Sequence, residues 1–443
     1  MIKEYLIELK TLNRSHNLFL PFLLLIISIP LPIFINNILL LLFTVMVFIK
    51  TTKSQIKYDS NLFFLILFFL LSLLSLCWSI DFKSSLNTIP RLIPLMLIPI
   101  LFMMSQSFEA SHIKALLRYY SYAMMVLAIV FMLRAVIRYL ITNDFRAFFY
   151  HGENDSDYGL VPKLLNAIHV SVFVAMGFFF FISKQVKKTP DYIAILILAG
   201  FILLLSAKNI IFIVIFLSII QLFYFSRLSN KLRLKNLIVF ILLIVLVFSY
   251  GKIKDRFEDE FKTNTEKSLS TNVIEGIPNQ SHYVSINEAW TNKVFNQNDF
   301  FPGTAFRVYQ FRIFLEMMNE DKIFWKGYGL NASYPKIEAK GEAYHVYQGD
   351  DSNDGYQKMN FHNQYVQNFA DLGVLGFLLI VIMLFVTLKN AIKTKDFMHF
   401  AFAFLMISLF LTESFLWRQR GVVFFTVLYC LFNTTSKPSI SQK

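Results

Sequence analysis

The sequence predicts an all-α polytopic membrane protein with about twelve transmembrane helices and one large, partly helical loop between the ninth and tenth. Three observations predict this. Hydrophobic residues make up 56% of the 443 and charged residues only 16%, whereas a soluble domain carries a charged share of about a quarter. Apolar runs recur from about residue 18 to residue 434 with a mean hydropathy of +0.54. One long hydrophilic stretch, residues 251–363, interrupts them.

The apolar runs place spans near residues 18–35, 37–50, 61–80, 92–105, 119–141, 164–183, 191–206, 209–226, 237–250, 372–388, 397–413 and 420–434. The chain thereby divides into spans one to nine (1–250), the loop (251–363) and spans ten to twelve (364–443). The first run contains Pro30 and Pro32 and is followed by no small-residue cleavage site, which predicts a retained helix rather than a signal peptide. Cys77 and Cys430 both lie in apolar runs, so neither a disulfide framework nor a C-x-x-C metal site is expected.

Positive charge sets the orientation, because short cytoplasmic segments are enriched in Lys and Arg. With the N-terminus inside, the inside segments hold 20 cations, among them Lys10, Arg14, Lys53, Lys114, Arg118, Lys187, Lys188, Arg227, Lys231, Lys389 and Lys393. The short outside turns hold few, such as Lys83, Arg91, Arg418 and Arg420. This places both termini in the cytoplasm and the long loop outside. The loop carries 13 Lys or Arg against 16 Asp or Glu. The net charge of +13 therefore belongs to the cytoplasmic face and its anionic membrane lipids, and nucleic acid is not a partner.

Within the loop, Val308, Phe311, Leu315 and Met318 recur at helical spacing over residues 307–322 and predict an amphipathic helix. The WKGYG stretch at 325–329 reads as a helix stop and turn. From Phe361 the chain passes from polar to apolar with no breaker, so a single helix is expected to rise from the surface into span ten. Asp350, Ser352, Asp354 and Gly355 imitate the start of a calcium loop, but Phe361 stands where the bidentate Glu is required. There is no H-E-x-x-H, no P-loop and no G-x-G-x-x-G before a helix, so neither metal nor nucleotide cofactor is expected. His282 and His345 read as loop surface. A transporter would bury charge mid-helix, and only Arg134 and Arg138 stand out in that way.

His362-Asn363, nine residues, Gly373, two residues and Gly376 fit the signature H-[NSQ]-x9-G-x-x-G. In this the chain resembles the O-antigen ligase and polymerase superfamily, the WaaL-like or Wzy_C family. Arg307, its following helix and Gly327-Tyr328-Gly329 resemble the family's arginine-containing stretch. The segments Cys77-Trp78-Ser79-Ile80-Asp81 and Glu413-Ser414 through Gly421 are similar in flavour. The resemblance covers most of the chain by architecture, but its sharp motifs cover only residues 304–377. One departure stands out: where the family usually has Ser-Arg in a mid-chain outside turn, this chain has Ser206-Ala207-Lys208-Asn209. A cation is kept there and the guanidinium fork is lost.

The resemblance implies a GT-C-like fold in the bacterial inner membrane, with its active site facing the periplasm. It implies a metal-independent glycosyltransferase that moves an undecaprenyl-pyrophosphate-linked glycan onto a sugar hydroxyl of lipid A–core. The basic pI of about 9.4 and the single dominant loop favour that ligase reading. The alternatives are a polymerase of the same superfamily, a protein oligosaccharyltransferase and a lipid-linked sugar transporter. His362 and Arg307 are the implied catalytic pair, with Arg307, Lys208 and Arg312 on the donor pyrophosphate. Asn363, Gly373, Gly376 and His169 are supporting residues. The chemistry suits these side chains: His titrates near neutral pH and can take the acceptor's proton, and cations stabilise a departing pyrophosphate. Lys208 also has an ordinary reading as a snorkelling helix-end cation, and the two glycines as packing positions.

Overall fold

The computed structural model describes residues 2–52, 56–149, 159–162, 165–226, 282–349 and 354–434, with scattered positions between 229 and 238. Six helical stretches are long and apolar enough to cross a membrane: Ile33–Lys50, Ser60–Cys77, Phe82–Met104, Ala110–Thr142, Lys208–Phe225 and Gln364–Thr394. Shorter apolar helices, Ala167–Ser183, Thr189–Leu205 and Phe397–Phe410, pack among them. The all-α membrane architecture is borne out. The ninth expected span, 237–250, and residues 251–281 lie outside the described residues.

Helix α1 (Ile2–Ser15) leads into α2 (Phe19–Ile27) and α3 (Ile33–Lys50). The break between the first two spans comes earlier than expected, at residues 28–32 rather than after 35. Proline has no amide hydrogen and disfavours helix in the residue before it; Pro32, at φ −50°, starts α3 instead of sitting inside it. Helix α4 (Ser60–Leu74) continues as a 3-10 turn (Ser75–Cys77), and Asp81 caps α5 (Phe82–Leu92) by accepting from the Ser84 amide at 3.0 Å. This stretch was expected to be a plain turn. Its buried side chains, Ser85, Thr88 and Leu92, form a largely polar stripe that hydropathy does not register. Then follow α6 (Pro94–Met104), α7 (Ala110–Thr142), α8 (Ala167–Ser183), α9 (Thr189–Leu205) and α10 (Lys208–Ile220).

The loop residues form their own core. A short parallel pair, β1 (His282–Tyr283) and β2 (Asp299–Phe300), precedes and follows α11 (Ile286–Thr291). Helices α12 (Gly303–Asp321) and α13 (Tyr334–Ala343) pack with them around Phe301, Tyr309, Ile313, Met317, Val346 and Phe361. The expected amphipathic helix is present, but the face it buries is Phe306, Tyr309, Ile313 and Met317 rather than the stripe of Val308 and Phe311. Phe311 is 44% exposed. The helix is apolar on more than one side, so periodicity alone does not choose its face.

Helices α14 (Gln364–Thr394), α15 (Phe397–Phe410) and α16 (Gln419–Asn433) complete the bundle. The expected unbroken rise into span ten is not found. Gly373, at φ 68° and ψ −164°, breaks α14. A broken helix at membrane depth must have its freed backbone groups satisfied by protein, and the 324–329 turn does this. Tyr328 and Gly329 donate their amides to the Ala370 and Asp371 carbonyls at 2.8 Å each, while the Val374 amide donates to the Phe324 carbonyl at 2.7 Å. A Cβ on Gly373 would collide with the Trp325 backbone, and one on Gly327 with Asp371.

The turn is in turn stitched to the α4–α5 junction. Trp78 Nε1 donates to the Lys326 carbonyl at 2.8 Å, and the Ile80 amide to the Tyr328 carbonyl at 3.0 Å. Ser75 Oγ accepts from the Leu330 amide at 3.0 Å. The opposite end of the bundle is tied by Arg118 to Glu8, by Lys184 to Asp191 and by Asn61 to the Asn433 carbonyl.

Candidate active site

Residues 411–418, which link α15 to α16, are the hub on which the site is built. Helix α15 ends at this turn and leaves its last carbonyls without helical partners. Three side chains take them up or bind beside them. Asn363 Nδ2 donates to the Leu411 carbonyl at 3.1 Å, and Arg307 Nε to the Thr412 carbonyl at 3.1 Å. Asn209 Nδ2 donates to Thr412 Oγ1. Gln364 Oε1 accepts from the Leu416 amide at 2.7 Å. Loop helix, histidine segment and the α9–α10 turn therefore meet on one strip of backbone.

His362 sits immediately before α14 at φ 46°, a left-handed conformation that a β-substituted residue adopts only when held. It is held on both sides. Its amide donates to Asn360 Oδ1 at 2.8 Å, and Asn363 caps α14 by accepting from the Tyr365 and Val366 amides at 3.0 and 3.1 Å. The ring packs edge-on to Phe306, 5.7 Å between centroids. Its Nδ1 lies 3.6 Å from Glu413 Oε2, an ion-pair separation, and the side chain keeps 30% exposure. A carboxylate on the Nδ1 side favours the tautomer that leaves the Nε2 lone pair for a proton.

Glu413 is buried. Burial alone would raise its pKa, but the facing His362, with His169 and Arg307 behind it, outweighs that and holds it below the usual carboxylate range. His169, on the first turn of α8, stacks on Phe415 at 4.3 Å, and its Nδ1 has no hydrogen-bond partner among the described residues. A Cβ on Gly421 would collide with the Phe415 carbonyl, so the glycine admits the hub's backbone here.

Arg307 also donates from Nη1 to the Gly303 carbonyl at 3.0 Å, which leaves Nη2 without a partner among the described residues. It lines an open, largely apolar groove of about 740 Å³ between α11 and α12, walled by Ile286, Trp290, Val308 and Phe311. Lys208 is half-buried at the first position of α10, next to the Asn209 that binds Thr412.

Arg312 stands apart. Five residues beyond Arg307, it faces another side of α12. Its guanidinium is spent inside the loop core, on Glu316 at 3.0 Å, the Asn292 carbonyl at 2.6 Å and Tyr344 Oη at 3.1 Å. The expected pyrophosphate contact from Arg312 is thus not assembled here. Gly373 and Gly376 serve the break in α14, where the approaching group is the 324–326 backbone. Glu413 was not assigned a role from sequence. Its signals were a lone acid in a turn between two apolar spans and the loose family likeness of the segment from Glu413 to Gly421.

The O-antigen ligase family model matches residues 193–381. That segment contains Lys208, Arg307, Arg312, His362, Asn363, Gly373 and Gly376, while Glu413 and His169 lie beyond it. No curated protein gives a match. The match supports the O-antigen ligase superfamily, as the histidine–glycine spacing implied, and with it a membrane enzyme of the ligase or polymerase kind acting on lipid-linked glycans.

Proposed function

From its likeness to the O-antigen ligase family over residues 193–381, we propose that the chain transfers a glycan from an undecaprenyl-pyrophosphate donor to a sugar hydroxyl of lipid A–core on the periplasmic face of the inner membrane. The observation that carries this reading is the meeting of His362, Glu413 and Arg307 on one turn. His362 Nε2 takes the proton from the acceptor hydroxyl as that oxygen attacks the anomeric carbon. Glu413 holds the imidazole in orientation and stabilises its charged form. The bond from the anomeric carbon to the pyrophosphate oxygen breaks, and the departing diphosphate meets Arg307 and Lys208. The apolar groove beside Arg307 suits the isoprenoid portion next to that headgroup.

Metal takes no part in this scheme, since cations of the chain receive the leaving group. Purified protein in chelator, given lipid-linked donor and lipid A–core, should form the conjugate. Activity that dies in EDTA and returns with a divalent ion would overturn the metal-independent scheme. A deletion strain separates the two family activities. Loss of all long chains from lipid A–core, with lipid-linked polymer accumulating, means ligase; a single-repeat product means polymerase.

A further inference from the structure

The hub has a second cationic end. Arg307 and Asn209 meet at Thr412, near the start of the hub, with Lys208 the residue before Asn209. At its other end Arg91, on the last turn of α5, lays its guanidinium over the Trp417 ring, 5.5 Å from the centroid. Tyr334 supports the same indole, 5.2 Å between ring centroids. Trp417 is itself fixed, its amide donating to the Ser414 carbonyl at 3.0 Å. Arg418 follows and is exposed. Arg420 lies two residues on, with Nε and Nη2 on the Leu31 carbonyl at 3.3 Å each. Neither Arg91 nor Arg418 pairs with a carboxylate among the described residues. Arg418 and Arg420 repel one another, and a pre-positioned, half-desolvated cation such as Arg91 over an aromatic face is suited to a phosphate.

Position says which phosphate. In a displacement at an anomeric carbon, the nucleophile and the leaving group stand on opposite faces. The proposed scheme gives Arg307 and Lys208 to the leaving group, and Arg307 binds the hub at Thr412, before Glu413; Arg91 lies over Trp417, beyond Glu413, and with Arg418 is left to meet the acceptor. Thr412 and Trp417 are five positions apart on the hub, and a 3-10 turn (Phe415–Trp417) carries the chain from Glu413 to the second site.

We propose that Arg91 and Arg418, with Trp417 as platform and Arg420 behind, form an acceptor-side anion site that holds a phosphate of a membrane-anchored glycolipid. The inference rests on the glycan-transfer reading and narrows its acceptor to a phosphate-bearing lipid. Two sources share that chemistry: a phosphorylated lipid A–core and a second lipid-pyrophosphate-linked glycan.

The test uses full-length protein in nanodiscs, as wild type and as the Arg91→Gln/Arg418→Gln double variant. The probes are lipid A–core, its enzymatically dephosphorylated twin, and undecaprenyl-pyrophosphate glycan offered as acceptor. Binding and acceptor KM are read separately. Wild type should prefer a phosphorylated acceptor tenfold or more, and the double variant should lose that preference with donor KM unchanged. Arg91→Lys/Arg418→Lys should recover part of it, which distinguishes lost charge from lost packing. Whichever phosphorylated probe shows the effect identifies the source. An unchanged preference in the double variant, or a loss that appears in donor KM, overturns the acceptor site while leaving glycan transfer standing. Phosphate-dependent binding through these arginines with no transfer to any probe by wild type would overturn the transfer reading instead.

Discussion

Replacing His362 with Ala should lower transfer about 10²–10⁴-fold without impairing membrane insertion or donor binding, read as product formed per minute by purified variants. Glu413→Gln should cost roughly 10²-fold through misplacement of the imidazole, mostly in kcat, because the hydrogen-bonding shape survives and the charge does not. The same carboxylate ties stability to pH. Its pKa is depressed in the fold, so its contribution is present above the ordinary carboxylate pKa and is lost as pH falls through the depressed value. The melting difference between wild type and Glu413→Gln should therefore shrink in strong acid. Lys208 tests the departure from the family pattern: Lys208→Ala should be severely impaired in transfer, and Lys208→Arg should retain substantial activity because the charge survives. Full activity in Lys208→Ala would reduce it to a helix-end anchor. At this scale the sequence revealed the histidine, because a rare residue at fixed spacing from two glycines is a strong pattern. It did not reveal Glu413, 51 residues further on and brought to His362 only by the packing of α14 against α15. Arg307 and Arg312 look alike in the string of letters, and only the turn of α12 separates them.

Among the elements, α14 shows how a helix can be foretold and its shape missed. Its polar-to-apolar gradient is visible in the letters, but Gly373 costs a helix only about 1 kcal/mol, so nothing local announces a break. The break is set by a distant turn whose backbone needs the space. Gly373→Ala should therefore abolish folding or destabilise by about 3 kcal/mol or more, since both φ and space forbid a Cβ. Gly200→Ala is the control: nothing lies within 4 Å of its Cβ, and a gain of about 0.5–1 kcal/mol is expected from helix propensity. Thermal unfolding in one detergent measures both, and equal melting temperatures would show that the break is incidental. The helix α5 went unforeseen because its inner side is largely polar: Ser84 and Ser85 donate to the Asn331 and Leu330 carbonyls, and Thr88 to the Ser84 carbonyl within the helix.

Across the whole molecule, the charge pattern gives a topology that reporters can check. Fusions near residues 55, 186 and 230 should report cytoplasm, and fusions within 270–350 the periplasm. A cytoplasmic signal from the loop would remove the proposed mechanism entirely, since the lipid-linked donor and His362 would then face different compartments. The described fold agrees with the grouping of segments behind this pattern, with α1, the α8–α9 turn and the C-terminal end of α16 at the end of the bundle away from the hub.

The junction between α14 and the 324–329 turn is made of amides and carbonyls, and this determines which mutations can be heard there. Truncating Phe324 or Lys326 to Ala leaves every one of those bonds in place, so a conventional side-chain scan would pass over the seam that seats the histidine segment. Val374→Pro deletes one donor, the amide bonded to Phe324, and changes little else on the surface. That change, 12 residues along the chain from His362, should silence transfer while Ala at Phe324 or Lys326 leaves it running.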